Sequence, residues 1–209
     1  MDGISYPVSF SVDYPDRNLD RLTSFFRIFT VIPIGIVLGT VAGGTWQWSY
    51  PNGSTGTVTA AGGLLFLGPL LMILFRRKYP RWWFDWNLAL IRFSARVWAY
   101  LALLRDEYPS TDEQQAVHLD LEYPNVERDL NRWMPLVKWL LAIPHYIVLT
   151  VLGVAAVICA FLAWVAILVT GRYPRAYFDF IVGVMRWALR VGAYAFLLTT
   201  DLYPPFSLR

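Results

Sequence analysis

The chain has 209 residues, 56% hydrophobic and only 16% charged, against roughly 25% charged in an ordinary soluble domain. Its 18 Lys and Arg and 15 Asp and Glu leave a net charge of +3, yet none of them falls within residues 28–75 or 139–171. Charge-free stretches of that length point to the bilayer rather than to a soluble core, the single Cys159 excludes an intrachain disulfide or a cysteine-based metal cluster, and no basic tail offers itself to nucleic acid.

In chain order, Val8, Phe10 and Val12 alternate with Ser9 and Ser11, which predicts a short strand. It belongs outside the hydrocarbon, because an open sheet edge in lipid leaves amides unpaired. About 24 mostly polar residues precede the first apolar run, so no cleavable signal peptide is expected. Residues 28–44 and 57–75 are uncharged runs of 17 and 19 residues. As helices they measure roughly 26 and 28 Å, close to the ~30 Å hydrocarbon thickness, and both are expected to cross. The polar stretch TWQWSYPNGSTG (45–56) reads as the loop between them. Residues 82–104 carry Asp85, Arg92 and Arg96 at steps of seven and four, which share one helical face. Arginines facing lipid at the bilayer centre are costly, so this segment is predicted to lie along the interface.

The second half answers the first in order. Val117, Leu119 and Leu121 repeat the alternation; an Ile-Pro pair recurs at 143–144 after 32–33; KYPRWWFDW (78–86) returns as RYPRAYFDF (172–180), Arg92 and Arg96 as Arg186 and Arg190, and DEYP (106–109) as DLYP (201–204). The offset is 111 residues at the Ile-Pro pair and 94 at the Tyr-Pro-Arg segment, so the first copy holds 17 extra residues between those landmarks. The 12-residue polar stretch 45–56 accounts for most of them. Two tandem repeats follow, 1–112 and 113–209. In the second, residues 139–170 form a 32-residue uncharged run, roughly 48 Å as one helix. Either one strongly tilted helix or a tight hairpin fits. The hairpin, turning near Gly153 with its first span starting near Trp133 and Lys138 snorkelling to the interface, is favoured because the first copy has a loop at the equivalent place. Residues 176–198, with Asp179, Arg186 and Arg190, give the second interfacial helix. The uncharged 45–56 loop, set against Arg76, Arg77, Lys78, Arg81, Arg172 and Arg175 at the opposite ends of the spans, places both termini in the cytoplasm. The expected fold is an all-α integral membrane protein of two helical hairpins, each with an interfacial amphipathic helix, plus short strands outside the bilayer.

Candidate functional residues are few. Arg92, Arg96, Arg186 and Arg190 offer bidentate forks to lipid phosphates or another anion, with Asp85 and Asp179 as their charge partners; seating an interfacial helix is the plainer role. Eight of the 12 tyrosines precede proline, which suits residues marking the membrane boundary. Gly35, Gly39 and Gly43 recur every four residues, as do Ala155, Cys159 and Ala163, a pattern of close helix packing. His118 and His145 stand alone, and no nucleophile elbow, phosphate loop or HExxH motif is present. The expectation is a protein that is not an enzyme and needs no metal or other cofactor.

IPHYIVL (143–149), AWVAILVTGRYPRAYFDFIVGVMRW (163–187) and LLTTDLYPPFSL (197–208) resemble the bacterial domain of unknown function 4389 family. The first copy resembles it more weakly, with IPI in place of IPH and the polar loop inserted. The resemblance implies an uncharacterised multi-pass bacterial membrane protein and brings no catalytic residues. The expected function is that of a lipid-interacting or partner-binding subunit of the bacterial plasma membrane, its partners lipids and a membrane protein or second copy. The alternative is a small transporter or channel for a lipid-like or uncharged solute.

Overall fold

A computed structural model describes residues 6–42, 45–49, 55–59 and 67–209. Gly43, the centre of the polar loop (50–54) and residues 60–66 of the second expected span lie outside the described residues. The chain is mostly helical, with a small sheet at its polar face.

That sheet pairs strand β1 (Val8–Val12) antiparallel with β4 (Val117–Leu121), in register through Phe10 and Leu119. Alternation sends Val8, Phe10, Val12, Val117 and Leu119 into the core and leaves Ser9, Ser11, His118 and Asp120 exposed. Two long amphipathic helices lie under the apolar face: α4 (Arg81–Leu101) packs on β4 and α8 (Arg175–Gly192) on β1. Beneath them sit the apolar helices, α2 (Arg27–Ala42) against α4 and α7 (Ile143–Thr170) against α8. The order through the molecule is thus sheet, amphipathic pair, apolar pair. Short α1 (Arg21–Phe25) packs on α7. At the end of α7 the chain reverses through Gly171, whose φ of +74° a side chain would strain and whose carbonyl accepts from Leu19 N at 2.9 Å.

Two sequence expectations need correction. No hairpin forms near Gly153: α7 runs unbroken through it, and open space surrounds the position of its missing Cβ. Nothing between Tyr146 and Thr170 is a proline or an amide side chain that could satisfy a turn, so every backbone group there does best inside a helix. The apolar helix also starts at Ile143 rather than Trp133. It is preceded by a 3-10 turn (Met134–Leu136) and by α6 (Lys138–Leu141), where Lys138 is fully buried instead of reaching an interface. In the first half the polar stretch is a β-hairpin, β2 (Thr45–Ser49) paired with β3 (Thr55–Thr59), so residues 57–59 of the second expected span are strand. That segment ends in α3 (Leu67–Leu71) and a π-turn (Met72–Arg76). A matching π-turn (Ala193–Leu197) extends α8.

Among the described residues, two helical stretches are long and apolar enough to cross a membrane, Ile143–Thr170 and Arg175–Leu197. The second is the one expected to be interfacial.

Candidate functional site

The arginine stripe lies between the amphipathic helices and the sheet layer. Arg92 Nε donates to Leu119 O at 2.7 Å and its Nη2 pairs with Asp120, while Arg186 Nε donates to Phe10 O at 2.9 Å and its Nη1 to Leu208 O at 3.0 Å. Arg96 Nη1 reaches Ser110 O at 2.7 Å and Arg190 Nη1 reaches Ser207 O at 3.5 Å. Each guanidinium therefore ties its helix to a strand, to the loop before β4 or to the C-terminal segment. Leu119 and Phe10 face each other in the sheet, so the two ties meet at its centre.

Asp85 and Asp179 are not their partners. Asp85 pairs with Arg81 at 3.5 Å and Asp179 with Arg175 at 3.6 Å, four residues back and largely exposed. The seven-residue step to Arg92 or Arg186 is about 10 Å of helix rise, whereas a four-residue step brings side chains together. Surface pairs of this kind contribute little stability.

Sequence reasoning missed two buried ion pairs at opposite ends of the molecule. Arg27 pairs with Asp106, donates to Arg105 O at 2.9 Å and stacks over Tyr100. Lys138 pairs with Asp201 at 2.6 Å, donates to Thr200 O at 2.8 Å and lies over Tyr194. The second carboxylate oxygen of each aspartate accepts a backbone amide, from Asp20 and Asn131 respectively. Burial pulls the Lys138 ammonium below its usual pKa while the Asp201 carboxylate pushes the other way. The signal available in sequence was the aspartate two residues before the Tyr-Pro pair that closes each half, Asp106 in DEYP and Asp201 in DLYP.

Among the described Tyr-Pro residues the depths differ: Tyr108, Tyr123 and Tyr203 are exposed, as membrane-boundary residues would be, whereas others lie inside. Tyr79 and Tyr173 are buried and donate to Leu197 O at 2.9 Å and Ala102 O at 3.1 Å. Tyr123 donates to Tyr79 O and Tyr14 to Tyr173 O. Burial pushes the phenols of Tyr6, Tyr79 and Tyr173 well up, so they act as fixed hydrogen-bond donors. Replacing Tyr79 by Phe should strand the Leu197 carbonyl and cost about 1–3 kcal/mol, read as a lower thermal midpoint in detergent.

The packing rows separate. Ala163 is buried, Cys159 packs on the main core, and Ala155 is half-buried on α7; Gly35 is exposed with nothing near it, and Gly39 is half-buried. His145 is fully buried, accepts from Trp187 Nε1 at 3.1 Å and stacks on Phe206 with ring centroids 4.0 Å apart. His118 meets Asp13 at 3.1 Å on the exposed sheet face. No group of three or more metal-ligating side chains occurs among the described residues.

The apolar layer carries the other notable geometry. A cavity of about 1070 Å³ opens between α4 and α8, walled by residues such as Ile91 and Trp98, Val157 and Trp164, and Met185 and Leu189. Ser24 and Arg27 also line it, both buried, and Ser24 Oγ and Arg27 Nε lack a hydrogen-bond partner among the described residues. Such a volume sits at the upper end of small-molecule sites, roughly 300–1,000 Å³. Apolar walls with two donors suit a chain-like ligand bearing an acceptor oxygen.

Residues 132–207 match the family model described as Domain of unknown function (DUF4389), which supports the resemblance drawn from the second half of the sequence. No curated protein and no solved structure matches the chain.

Proposed function

We propose that this chain is a non-enzymatic, lipid-interacting membrane protein made of two related halves, seated in a bacterial plasma membrane with both termini on the cytoplasmic side. The observation that carries the reading is α7. It has 28 residues, an 18-residue window of it reaches a mean hydropathy of 2.8, and it turns its side chains outward, with Val151, Val157 and Val169 each 67–70% exposed. A patch of that size has no counterpart on a soluble monomer, and acyl chains are the natural cover. Contacts that recur between the halves support their kinship: Arg27–Asp106 with Lys138–Asp201, Arg92–Leu119 with Arg186–Phe10, and Tyr123–Tyr79 with Tyr14–Tyr173. A multi-pass arrangement follows from segment length alone; the packing of α7 along α8 argues for a shallower seat.

Most of the buried and half-buried polar side chains described above, Arg186, Lys138, Tyr79 and Tyr173 among them, are engaged in holding helices to sheet and loop, which favours a binding subunit over a catalyst. A small transporter for a lipid-like solute is the second reading, favoured by the cavity between α4 and α8.

The full chain, expressed in a bacterium, should remain in the membrane pellet through an alkaline carbonate wash and be released by detergent. Release by carbonate alone overturns the reading. Lipid should co-purify, and filling the cavity with Ala156→Phe and Ala188→Phe should remove most of it while Val154→Phe, on the outer face of α7, should not. Solute flux through reconstituted vesicles, abolished by the same filling pair, would favour the transporter instead.

A further inference from the structure

We propose that α7 does not cross the bilayer but lies along it, sunk with α2 into one leaflet, so that the protein is anchored from a single face. The inference rests on the membrane reading and concerns only how the chain is seated.

The argument begins at the sheet. β1 and β4 form a sheet of only two strands, so each keeps an open edge, and their outward face carries Ser9, Ser11, His118 and Asp120. Unpaired amides and exposed charges cannot enter hydrocarbon. The outer face of this layer is polar: Asp13, His118 and Asp120 have side chains 62%, 54% and 75% exposed, and Asp85 and Asp179 lie out toward the N-terminal turns of α4 and α8 at 57% and 61%. This layer therefore stays in water or among headgroups.

The N-terminal segment Tyr6–Tyr14, which contains β1, then follows α8 along most of its length. Tyr6 donates to Arg190 O at 3.3 Å, Phe10 O accepts from Arg186, and the Tyr14 ring meets Phe178 at 5.0 Å. Nowhere between Phe178 and Arg190 does α8 leave the polar layer.

Helix α7 in turn runs antiparallel along the far side of α8. The two are joined by the short turn after Gly171, and Trp187 near the end of α8 bonds His145 near the start of α7. Both ends of α7 are fastened to the polar layer. At one end Lys138, five residues before Ile143, pairs with Asp201, next to Leu202, whose carbonyl accepts from Tyr6. At the other, Leu19 N donates to Gly171 O at 2.9 Å and Arg21 Nη2 to Val169 O at 3.1 Å.

If α7 stood across the membrane, α8 and the sheet would be drawn through the hydrocarbon with it. Laid flat, α7 has its length parallel to the surface, so its ~42 Å need not match the ~30 Å of hydrocarbon. The outward row Ile147, Val151, Val154, Ile158, Phe161, Val165 and Val169 then meets acyl chains at one depth, 43–70% exposed throughout. The exposed Ile28, Phe29, Ile32 and Ile36 of α2 extend the same surface. The partner is the acyl region of one leaflet, and its charged rim is the loop ends carrying Arg21, Arg172 and Arg175.

The test uses the full chain with Cys159→Ala and single cysteines at Ile147, Ile158 and Val169, positions eleven apart and on one face. Each variant is reconstituted in phosphatidylethanolamine–phosphatidylglycerol vesicles and spin-labelled, and its depth is read from collision with oxygen against a water-soluble nickel chelate. Equal depth at all three positions is expected. A profile deep at Ile158 and shallow at Ile147 and Val169 overturns the proposal. In a second measurement on intact cells, an impermeant maleimide applied from outside should miss both Trp139→Cys and Arg172→Cys, the flanks of α7, and label both after lysis. Labelling of one flank alone from outside places the flanks on opposite sides and also overturns it. A chain that the carbonate wash removes fails the membrane reading itself, a separate outcome.

Discussion

Replacing Asp201 by Asn should be among the most damaging single changes in this protein, because it leaves the fully buried Lys138 ammonium without its counter-charge. Breaking one side of a buried pair costs about 3–5 kcal/mol, and in a chain of this size each kcal/mol moves the thermal midpoint by roughly 2–4 °C. Substituting both members with apolar residues should recover most of the loss, since the unpaired charge goes with its partner. The variant also has a pH signature. Burial holds the folded-state pKa of Lys138 below its ordinary 10.5, and removing Asp201 takes away the influence opposing that shift. Across the interval between the lowered folded value and 10.5, the unfolded chain binds more protons than the folded one, so stability rises with pH. Asp201→Asn should therefore regain stability as the solution is made alkaline. The matching Asp106→Asn, which strands Arg27, should be destabilised without alkaline rescue, because a guanidinium does not lose its proton in that range. Thermal unfolding in detergent across neutral to alkaline pH separates the two. Parallel curves for the variants would sink the account of Lys138 as a buried cation held by Asp201.

Much of the architecture was legible because it rests on period. The alternation at Val8, Phe10 and Val12 and at Val117, Leu119 and Leu121 marked both strands, and the charge spacing through Arg92 and Arg186 marked both amphipathic helices. What failed was inferred from bilayer thickness. An uncharged run half as long again as the hydrocarbon suggested a turn at Gly153, but no proline or amide side chain there supports a turn, and the run is one unbroken helix. The polar stretch before Thr57 announced a loop without revealing that strands β2 and β3 would consume residues up to Thr59. The arginine contacts were out of reach for a different reason. Periodicity speaks of neighbours on one helix, whereas Arg186 bonds a carbonyl 176 positions away. Lys138 looked like a snorkelling residue because its aspartate lies far along the chain, beyond an intervening pair of long helices.

Converting Arg92, Arg96, Arg186 and Arg190 together to Gln should lower stability sharply and leave lipid binding by the protein that remains folded unchanged. Arg186 dominates the expected loss. It gives up charged donations to Phe10 O and Leu208 O, and hydrogen bonds from a charged donor contribute about 1.5–3 kcal/mol each, before discounting for the part of the side chain that water reaches. Arg92 should matter less, since its side chain is 40% exposed and its partner Asp120 75% exposed, so water already screens that pair. The Phe10 and Leu119 carbonyls are neighbours across the sheet, so Arg92→Gln and Arg186→Gln should couple, each costing more once the other has loosened β1 against β4. A headgroup role predicts the reverse ordering. If phosphate is what these guanidiniums hold, Arg92 is the more accessible fork, and the quadruple variant keeps its thermal midpoint while losing co-purified anionic lipid in native mass spectrometry. The geometry favours the first outcome, because a phosphate oxygen would have to displace carbonyls already at 2.7 and 2.9 Å. Under the proposed lipid-interacting reading it also leaves the apolar helices and the cavity between α4 and α8, rather than the arginine stripe, as the surfaces that would face lipid.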